Sequence, residues 1–342
     1  MSFEIDFLAV GDGEKSGDAI AMRFIGTNNQ QQVVVIDGGT QDSGKQLADH
    51  IKFYYGANVV VDWAILTHPD SDHACGLQTV LEELPVKRLL MHKPWEHGDA
   101  IKEELEKEYT DDGLERKIIQ QLRAAKEVEK IAARKGTEII EVFAGDATPD
   151  KFIHILGPSR DYYQQTLADV ISGISSSGFS RAATDAVRFV RETLQFGSLK
   201  DPEENDTSPT NNSSIIALFN FDGHKLLFTG DAGVGALTRA VDYAATQGIN
   251  LTDLRFLQVP HHGSKRNLGP TILKKIKASH AFISAAPKSP KHPSKKVTNE
   301  LLRNGSQVFV TQGRHIMHSN PPVARLNWGP IEPVPFFELV ED

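Results

Sequence analysis

The chain is poor in cysteine: Cys75 is the single one in 342 residues. That excludes an intrachain disulfide and fits a reducing compartment. No apolar run approaches the roughly 20 residues that a membrane-spanning helix needs. The opening residues, Met1-Ser2-Phe3-Glu4-Ile5-Asp6, have neither the basic flank nor the apolar core of a secretion signal. The expectation is therefore a cytoplasmic protein with no membrane partner. The most telling scarcity is local. Between Leu254 and Asn299 there is no Asp or Glu, but there are ten basic residues, among them Arg255, Lys265, Arg266, Lys288, Lys291, Lys295 and Lys296. With ten of the 37 basic residues in that stretch, the rest of the chain carries 27 against 45 acidic ones, a balance of −18. An acidic body with one basic stretch points to a local anion site or, more blandly, to a solvated lysine-rich surface.

Against these absences stands one crowded segment, Thr67-His68-Pro69-Asp70-Ser71-Asp72-His73. It places four metal-ligand side chains within six positions, directly after the apolar run Val59 to Leu66, which reads as a buried strand. The ligands are then expected on the loop at that strand's C-terminal end, where α/β sheets keep their chemistry. Two His and two Asp packed so closely repel one another and lose hydration unless a cation holds them.

The remaining pattern alternates strands and helices. Phe3 to Val10, Ala19 to Phe24 and Gln32 to Ile36 read as strands, the last stopped by Asp37-Gly38-Gly39. Gly76 to Glu83 reads as a short helix and Val86 to Met91 as a strand. Leu114, Ile118, Leu122, Ala125, Val128 and Ala132 recur at helical spacing and predict a long amphipathic helix ending at Gly136. Glu138 to Phe143 and Phe152 to Leu156 follow as strands. From Asp161 to Pro209 the pattern degrades into mobile loops, Ile174-Ser175-Ser176-Ser177-Gly178 and Asp201-Pro202-Glu203-Glu204-Asn205-Asp206, around one helix. Ile215 to Phe221 and Lys225 to Phe228 flank the turn dipeptide Asp222-Gly223 and predict a hairpin. The expected organisation is one domain over residues 1–342 with a helical insertion at 99–136 and an irregular insertion at 161–209.

Three later segments carry further candidate ligands at strand ends: Thr229-Gly230-Asp231, Pro260-His261-His262-Gly263-Ser264 and, earlier, Asp37. With Thr67 to His73 these resemble the signature of the metallo-β-lactamase superfamily. Ala9-Val10-Gly11 with Gly17-Asp18-Ala19-Ile20, Val35-Ile36-Asp37-Gly38-Gly39, Asn211-Asn212-Ser213-Ser214-Ile215 and Lys291-His292-Pro293 resemble the hydrolase domain of the DNA-uptake protein ComEC and its stand-alone soluble relatives. The resemblance implies a four-layer αββα sandwich with a two-metal site on one edge. It implies that His68 and Asp70 bind one metal, Asp72 and His73 the other, and that Asp231 bridges them. His262 joins the second metal, and His261 contacts substrate, although the two could be exchanged. Asp37 fixes a ligand imidazole by hydrogen bond. His292 acts on substrate or leaving group, so Asp72, Asp231 and His292 are the expected catalytic residues. Two departures bear on the metal. Asp70 stands where His is commonest, and Asn212 stands where a middle-strand His is usual, which favours oxygen-loving Mn²⁺ (or Mg²⁺) beside Zn²⁺. Cys75 stands where Gly is usual. A small buried residue is expected there, with a thiol near the zinc as the sharper alternative.

Two divalent ions lower the pKa of a bridging water and clamp the oxygens of an in-line displacement. Lys265 and Arg266 follow the His261-His262 segment immediately, so an anionic ester suits the site better than a neutral lactam. The expected activity is hydrolysis of a phosphodiester, with single-stranded DNA or RNA as substrate, through a metal-bridging hydroxide. The competing expectation is a small-molecule hydrolase acting on a cyclic nucleotide, phosphorylated head group, lactone or thioester, which the acidic body favours. A third is a scaffold whose helical insertion docks a protein partner. His224 is expected to be exposed on a hairpin turn. His154, His280, His315 and His318 are expected in packing or surface roles, and His50, His92 and His97 carry no signal.

Overall fold

A computed structural model describes residues 2–11, 13, 15–26, 29–98, 101, 105, 114–175, 192–193, 197–326, 328–329 and 331–341. The first sheet contains β1 (Phe3–Phe7), β2 (Ala19–Ile25), β3 (Gln31–Gly38), β4 (Val61–Ile65), β5 (Val86–Leu90), β6 (Glu138–Ile140) and β14 (Ile316–Asn320), in the order β14-β1-β2-β3-β4-β5-β6. The second contains β7 (Ile153–Gly157), β9 (Ile216–Phe221), β10 (His224–Phe228), β11 (Leu254–Gln258), β12 (Ala278–Ile283) and β13 (Gln307–Val310), in the order β13-β12-β11-β10-β9-β7. A two-stranded ribbon joins β8 (Glu192–Thr193) to β15 (Val340–Glu341).

Between the sheets lies an aromatic layer. Phe7 meets Phe282 edge-on at 5.5 Å between centroids, and Phe256 lies 5.1 Å from Phe282 and 5.5 Å from Phe228. These rings come from alternate positions of their strands, as the period of two demands, and each fully buried one stabilises the sandwich by about 1.5–3 kcal/mol. Helices cover both outer faces. On the first sheet Leu47 and Ile51 of α1 (Gln41–Tyr54), Leu77 and Leu81 of α2 (Ser71–Glu83), Leu122 and Val128 of α3 (Leu114–Lys135), and Tyr163 and Leu167 of α4 (Arg160–Ser175) share one apolar cluster with β3, β4 and β5. A four-residue α5 (Pro209–Asn212) leads into β9. On the second sheet α6 (Val234–Thr246), α7 (Pro270–Lys275) and α8 (Lys295–Arg303) bury Leu237, Ile272 and Val297 in another cluster. The layers are helix, sheet, sheet, helix, as expected. No described helix is long and apolar enough to cross a membrane.

Several expectations shift. α2 starts at Ser71 rather than Gly76, because its first turn is polar and points into the site, so no apolar period marks it. Asp72 and His73 therefore sit on a helix, not a loop. The stretch read as loops around one helix holds α4, whose Tyr163 and Leu167 pack inward and which takes in Ile174 and Ser175, expected in a loop; Ser176 to Gly178 lie outside the described residues. The strand expected to reach Phe143 ends at Ile140, where Glu141 turns away to accept from Lys93 N–H at 2.7 Å. His224 is half-buried at the start of β10, with its ring 5.5 Å from Phe3 and Asn320 beside its Nε2 at 3.2 Å. Cys75 is half-buried on α2, and burial raises its thiol pKa, with Asp72 adding to the shift.

One glycine contact positions the site. A Cβ on Gly76 would lie 1.9 Å from Gly38 O, and one on Gly44 would lie 2.1 Å from Gly76 O. α1, α2 and the end of β3 thus meet at backbone distance, which brings the first turn of α2 against Asp37.

Candidate metal centre

Strand direction gathers the site. β3, β4 and β5 are parallel, as are β10, β11, β12 and β13. Asp37 is the penultimate residue of β3, and Thr67 to His73, Asp231 and His261-His262 follow the C-terminal ends of β4, β10 and β11, all at one edge of the sandwich. β2 and β9 run antiparallel to their neighbours, so Asp18 before β2 and Asn211-Asn212 before β9 arrive at the same edge from their strands' starts.

Asp37 organises the first turn of α2. Its Oδ1 accepts from Thr67 N at 2.8 Å, and its Oδ2 accepts from Thr67 Oγ1 at 2.7 Å and from His73 Nδ1 at 2.7 Å. The last bond holds the His73 ring. It fixes the tautomer so that His73 Nε2 presents a lone pair 3.6 Å from Asp231 Oδ1. His68 contacts Thr67 Oγ1 through Nδ1 at 3.0 Å and directs Nε2 to 3.8 Å from Asp231 Oδ2 and 3.9 Å from Asp70 Oδ2. His262 Nε2 lies 3.8 Å from Asp72 Oδ2 and 4.0 Å from Asp231 Oδ2, and His261 Nε2 lies 3.8 Å from the same Asp231 oxygen. These separations are too long for hydrogen bonds and about right for groups that share an ion between them.

The buried polar atoms left without partners make the same point. They include His68 Nε2, His73 Nε2, Asp70 Oδ1, Asp231 Oδ1 and Asp18 Oδ1, all on residues of this edge. Such atoms are costly to bury unpaired. Four triads with mutual ligand distances within 4.8 Å occur there: His68-His73-Asp231, Asp72-His73-His262, Asp18-Asp37-His73 and Asp18-Asp231-His262. Asp70 belongs to none of them, but it caps α2 without a capping hydrogen bond.

Titration follows the crowding. Burial pushes Asp70 up to about 7, with Asp72 and Asp231 adding repulsion. Burial lowers His68 to about 4, with His73 adding to the shift. Burial alone would lower His262, but the nearby carboxylates of Asp231 and Asp72 carry it up to about 9. His73 is likewise held well above its usual range by Asp231 and Asp37 against its burial. Asp72 falls to about 2 although burial opposes it, because His262 and His73 stabilise the carboxylate. Carboxylates that draw protons onto His73 and His262 form a cluster that a cation fits, displacing those protons.

Left-handed backbone turns both adjacent histidines inward: His261 has φ 47° and His262 φ 56°. Asn267 Oδ1 accepts from His261 Nδ1 at 2.9 Å, which leaves Nε2 facing Asp231. His292 is half-buried, its ring 5.3 Å from that of His261 and 5.8 Å from that of His262, and burial with the two neighbouring imidazoles lowers it to about 3. Asn212 is buried with its Oδ1 unpartnered, 2.4 Å from where a Cβ on Gly233 would stand. Lys265 and Arg266 are exposed immediately beyond the His261-His262 turn.

Sequence reasoning missed two residues. Asp18 is buried and sits in two of the four triads, and burial raises it to about 6. Its signal is the Gly17-Asp18-Ala19 motif, which in sequence alone marks only the family resemblance. Gln258 had no signal. Its Oε1 accepts from Thr229 N at 2.7 Å and Gly230 N at 2.9 Å, and its Nε2 donates to Asp18 Oδ2 at 2.7 Å, so it shapes the turn that presents Asp231.

A four-layer αββα sandwich with His and Asp side chains clustered at one edge matches the metallo-beta-lactamase fold. The profile of the metallo-beta-lactamase superfamily matches residues 24–286, and the chain belongs to that superfamily. ComE operon protein 3 of Bacillus subtilis (strain 168) is 24% identical over 323 residues, which cover 90% of this chain and 32% of that protein. The chain thus spans about a third of that relative's length. Among solved structures, a metallo-beta-lactamase from Thermotoga maritima aligns over 72% of this chain and 86% of its own, with 10% identity and a TM-score of 0.36. A long-form RNase Z from yeast aligns over 83% of this chain and 37% of its own, with 11% identity and a TM-score of 0.35. Membership makes the chain a hydrolase of a superfamily that typically binds divalent metals.

Proposed function

We propose that the chain is a dinuclear metal-dependent phosphodiesterase whose preferred substrate is single-stranded DNA or RNA. The observation that carries this reading is the convergence of unpartnered imidazole nitrogens and carboxylate oxygens at one edge, with the acid-free basic segment beginning its exposed run there at Lys265 and Arg266. In this reading His68 and Asp70 hold one ion, Asp72, His73 and His262 the other, and Asp231 lies between them; Mn²⁺ or Zn²⁺ fits the mixed nitrogen and oxygen donors, and Mg²⁺ is the third candidate. When bound, the pair supplies an activated water and neutralises charge on the phosphoryl oxygens. The chain's own residues do the rest. Asp37 and Thr67 fix the imidazoles, Lys265 and Arg266 attract the phosphates, and His292 donates a hydrogen bond to a phosphate or leaving oxygen. The resemblance of the chain's motifs to the hydrolase domain of the DNA-uptake protein ComEC supports a nucleic-acid substrate. The second reading, a small phosphorylated or lactone substrate, draws on the acidic remainder of the surface.

A panel of labelled single-stranded DNA, single-stranded RNA, a generic phosphodiester, a lactone and a lactam, assayed with Mn²⁺, Mg²⁺ and Zn²⁺, separates the two. Phosphodiester turnover is expected to lead, with KM rising steeply with salt. Lys265→Ala with Arg266→Ala is expected to raise KM more than it lowers kcat, because contacts made equally in ground and transition states are lost. A neutral lactone or lactam turned over faster than every phosphodiester refutes the first reading.

A further inference from the structure

The acid-free segment does not all serve the metal edge. Strand β11 divides it: Lys265 and Arg266 lie beyond the strand's C-terminal end, whereas Arg255 is its second residue, at the opposite end of the sandwich. There a cavity of about 360 Å³ opens between the two sheets, on the side where β13 edges one and β14 edges the other. Its walls include Arg255, His280, Phe282, Phe309, Met317 and His318. We propose that this cavity is a second binding site, for a flat aromatic molecule bearing one phosphate or carboxylate group.

Arg255 supplies the charge. Among the described residues no carboxylate pairs with it; its Nε lies 3.4 Å from His318 Nε2, a long contact to an imidazole. Burial, His280 and Arg255 lower His318 to about 3, and burial and Arg255 lower His280 as well. Both rings are therefore neutral near pH 7, and the guanidinium is the one fixed charge among these named wall residues. An arginine with no carboxylate partner among the described residues, set against apolar walls, favours an anion that can take its paired donors. The rings supply the flat surface. His280 lies nearly parallel to Phe309, at 8° with centroids 6.2 Å apart, and His318 lies 4.2 Å from His280. Phe282 is 5.2 Å from Phe309 and closes the floor. The volume is at the low end of small-molecule sites, about 300–1,000 Å³, which suits a mononucleotide or an aryl carboxylate and not a polymer. Val323, 37% exposed, stands among the lining residues at the rim.

The test is equilibrium binding of adenosine monophosphate, adenosine, inorganic phosphate and 2-naphthoate to the full chain, with metals and again under chelation, alongside turnover at the metal edge. A saturable component that survives chelation is expected for adenosine monophosphate, for naphthoate or for both, and which of them binds tells phosphate from carboxylate. Adenosine and phosphate alone should bind at least about tenfold more weakly. Arg255→Gln should weaken the component by at least about tenfold and leave turnover unchanged, and Arg255→Lys should restore part of it. Val323→Trp, a change at an exposed position whose folding circular dichroism checks, should block the mouth and abolish the component. The proposal is overturned if neither anion binds after chelation, or if both Arg255→Gln and Val323→Trp bind like the parent. Because turnover is read separately, a failure here leaves the metal-edge reading untouched, and the converse holds.

Discussion

Replacing Asp37 by asparagine removes a single negative charge and one acceptor, and the structure says what each loss does. Three donors converge on its two oxygens: Thr67 N–H on Oδ1, and Thr67 Oγ1–H with His73 Nδ1–H on Oδ2. An asparagine has one acceptor oxygen. If that oxygen faces His73, the new amide donor confronts Thr67 N–H and leaves a buried backbone donor unpaired. If it faces Thr67 N–H, the amide confronts His73 Nδ1 and drives the ring into the other tautomer, so that Nε2 carries the proton and loses its lone pair toward Asp231. Either arrangement costs about 1–3 kcal/mol for a buried unsatisfied group, and Asp37 is 0% exposed, so water offers no relief. Substitution of a residue that orients a ligand imidazole typically weakens metal binding about 10–100-fold, or roughly 1.4–2.7 kcal/mol. Competitive titration against a metal indicator measures the affinity, and thermal unfolding of the same samples under chelation measures the cost to the apo fold. An Asp37→Asn protein that is folded and binds both Mn²⁺ and Zn²⁺ within about twofold of the parent refutes the account, since about tenfold is the smallest loss it allows.

Two further outcomes follow from the same geometry. Chelation should abolish turnover and leave far-ultraviolet circular dichroism nearly unchanged, because three apolar clusters hold the layers together independently of the metal edge; global unfolding on chelation would contradict this. His292→Ala should keep the full metal content and lose roughly two to three orders of magnitude in kcat, the range for removing a group that stabilises the leaving or phosphoryl oxygen. Near-parental turnover removes His292 from the site, and loss of metal makes it a ligand.

Much of the sandwich was legible because its strands are short apolar runs stopped by turn residues, as in Val33 to Ile36 followed by Asp37-Gly38-Gly39. The start of α2 was not, because the residues of its first turn are chosen for the site and break the helical apolar pattern. That Asp37 would hold an imidazole was suggested by the family pattern, but which imidazole was not, because the 2.7 Å contact with His73 joins residues 36 positions apart that only the folded chain brings together. Gln258 was invisible because it lies inside a β-strand and works through backbone amides 28 and 29 residues away, which only the folded chain brings near. The aromatic and histidine cavity was equally hidden. His280 and His318 are 38 positions apart with no shared motif, and their meeting depends on β12 and β14 lying in different sheets.

The central claim is that one edge of the sandwich holds a pair of metal ions bridged by Asp231. The most direct measurement is the metal content, by inductively coupled plasma mass spectrometry, of parent and Asp231→Ala proteins reconstituted with Mn²⁺ or Zn²⁺ and freed of loose ions. The account predicts about two ions per parent chain, as in two-metal hydrolases, and the loss of one or both in Asp231→Ala while circular dichroism stays unchanged. A parent that retains at most a single ion, or an Asp231→Ala protein that holds metal like the parent, contradicts it.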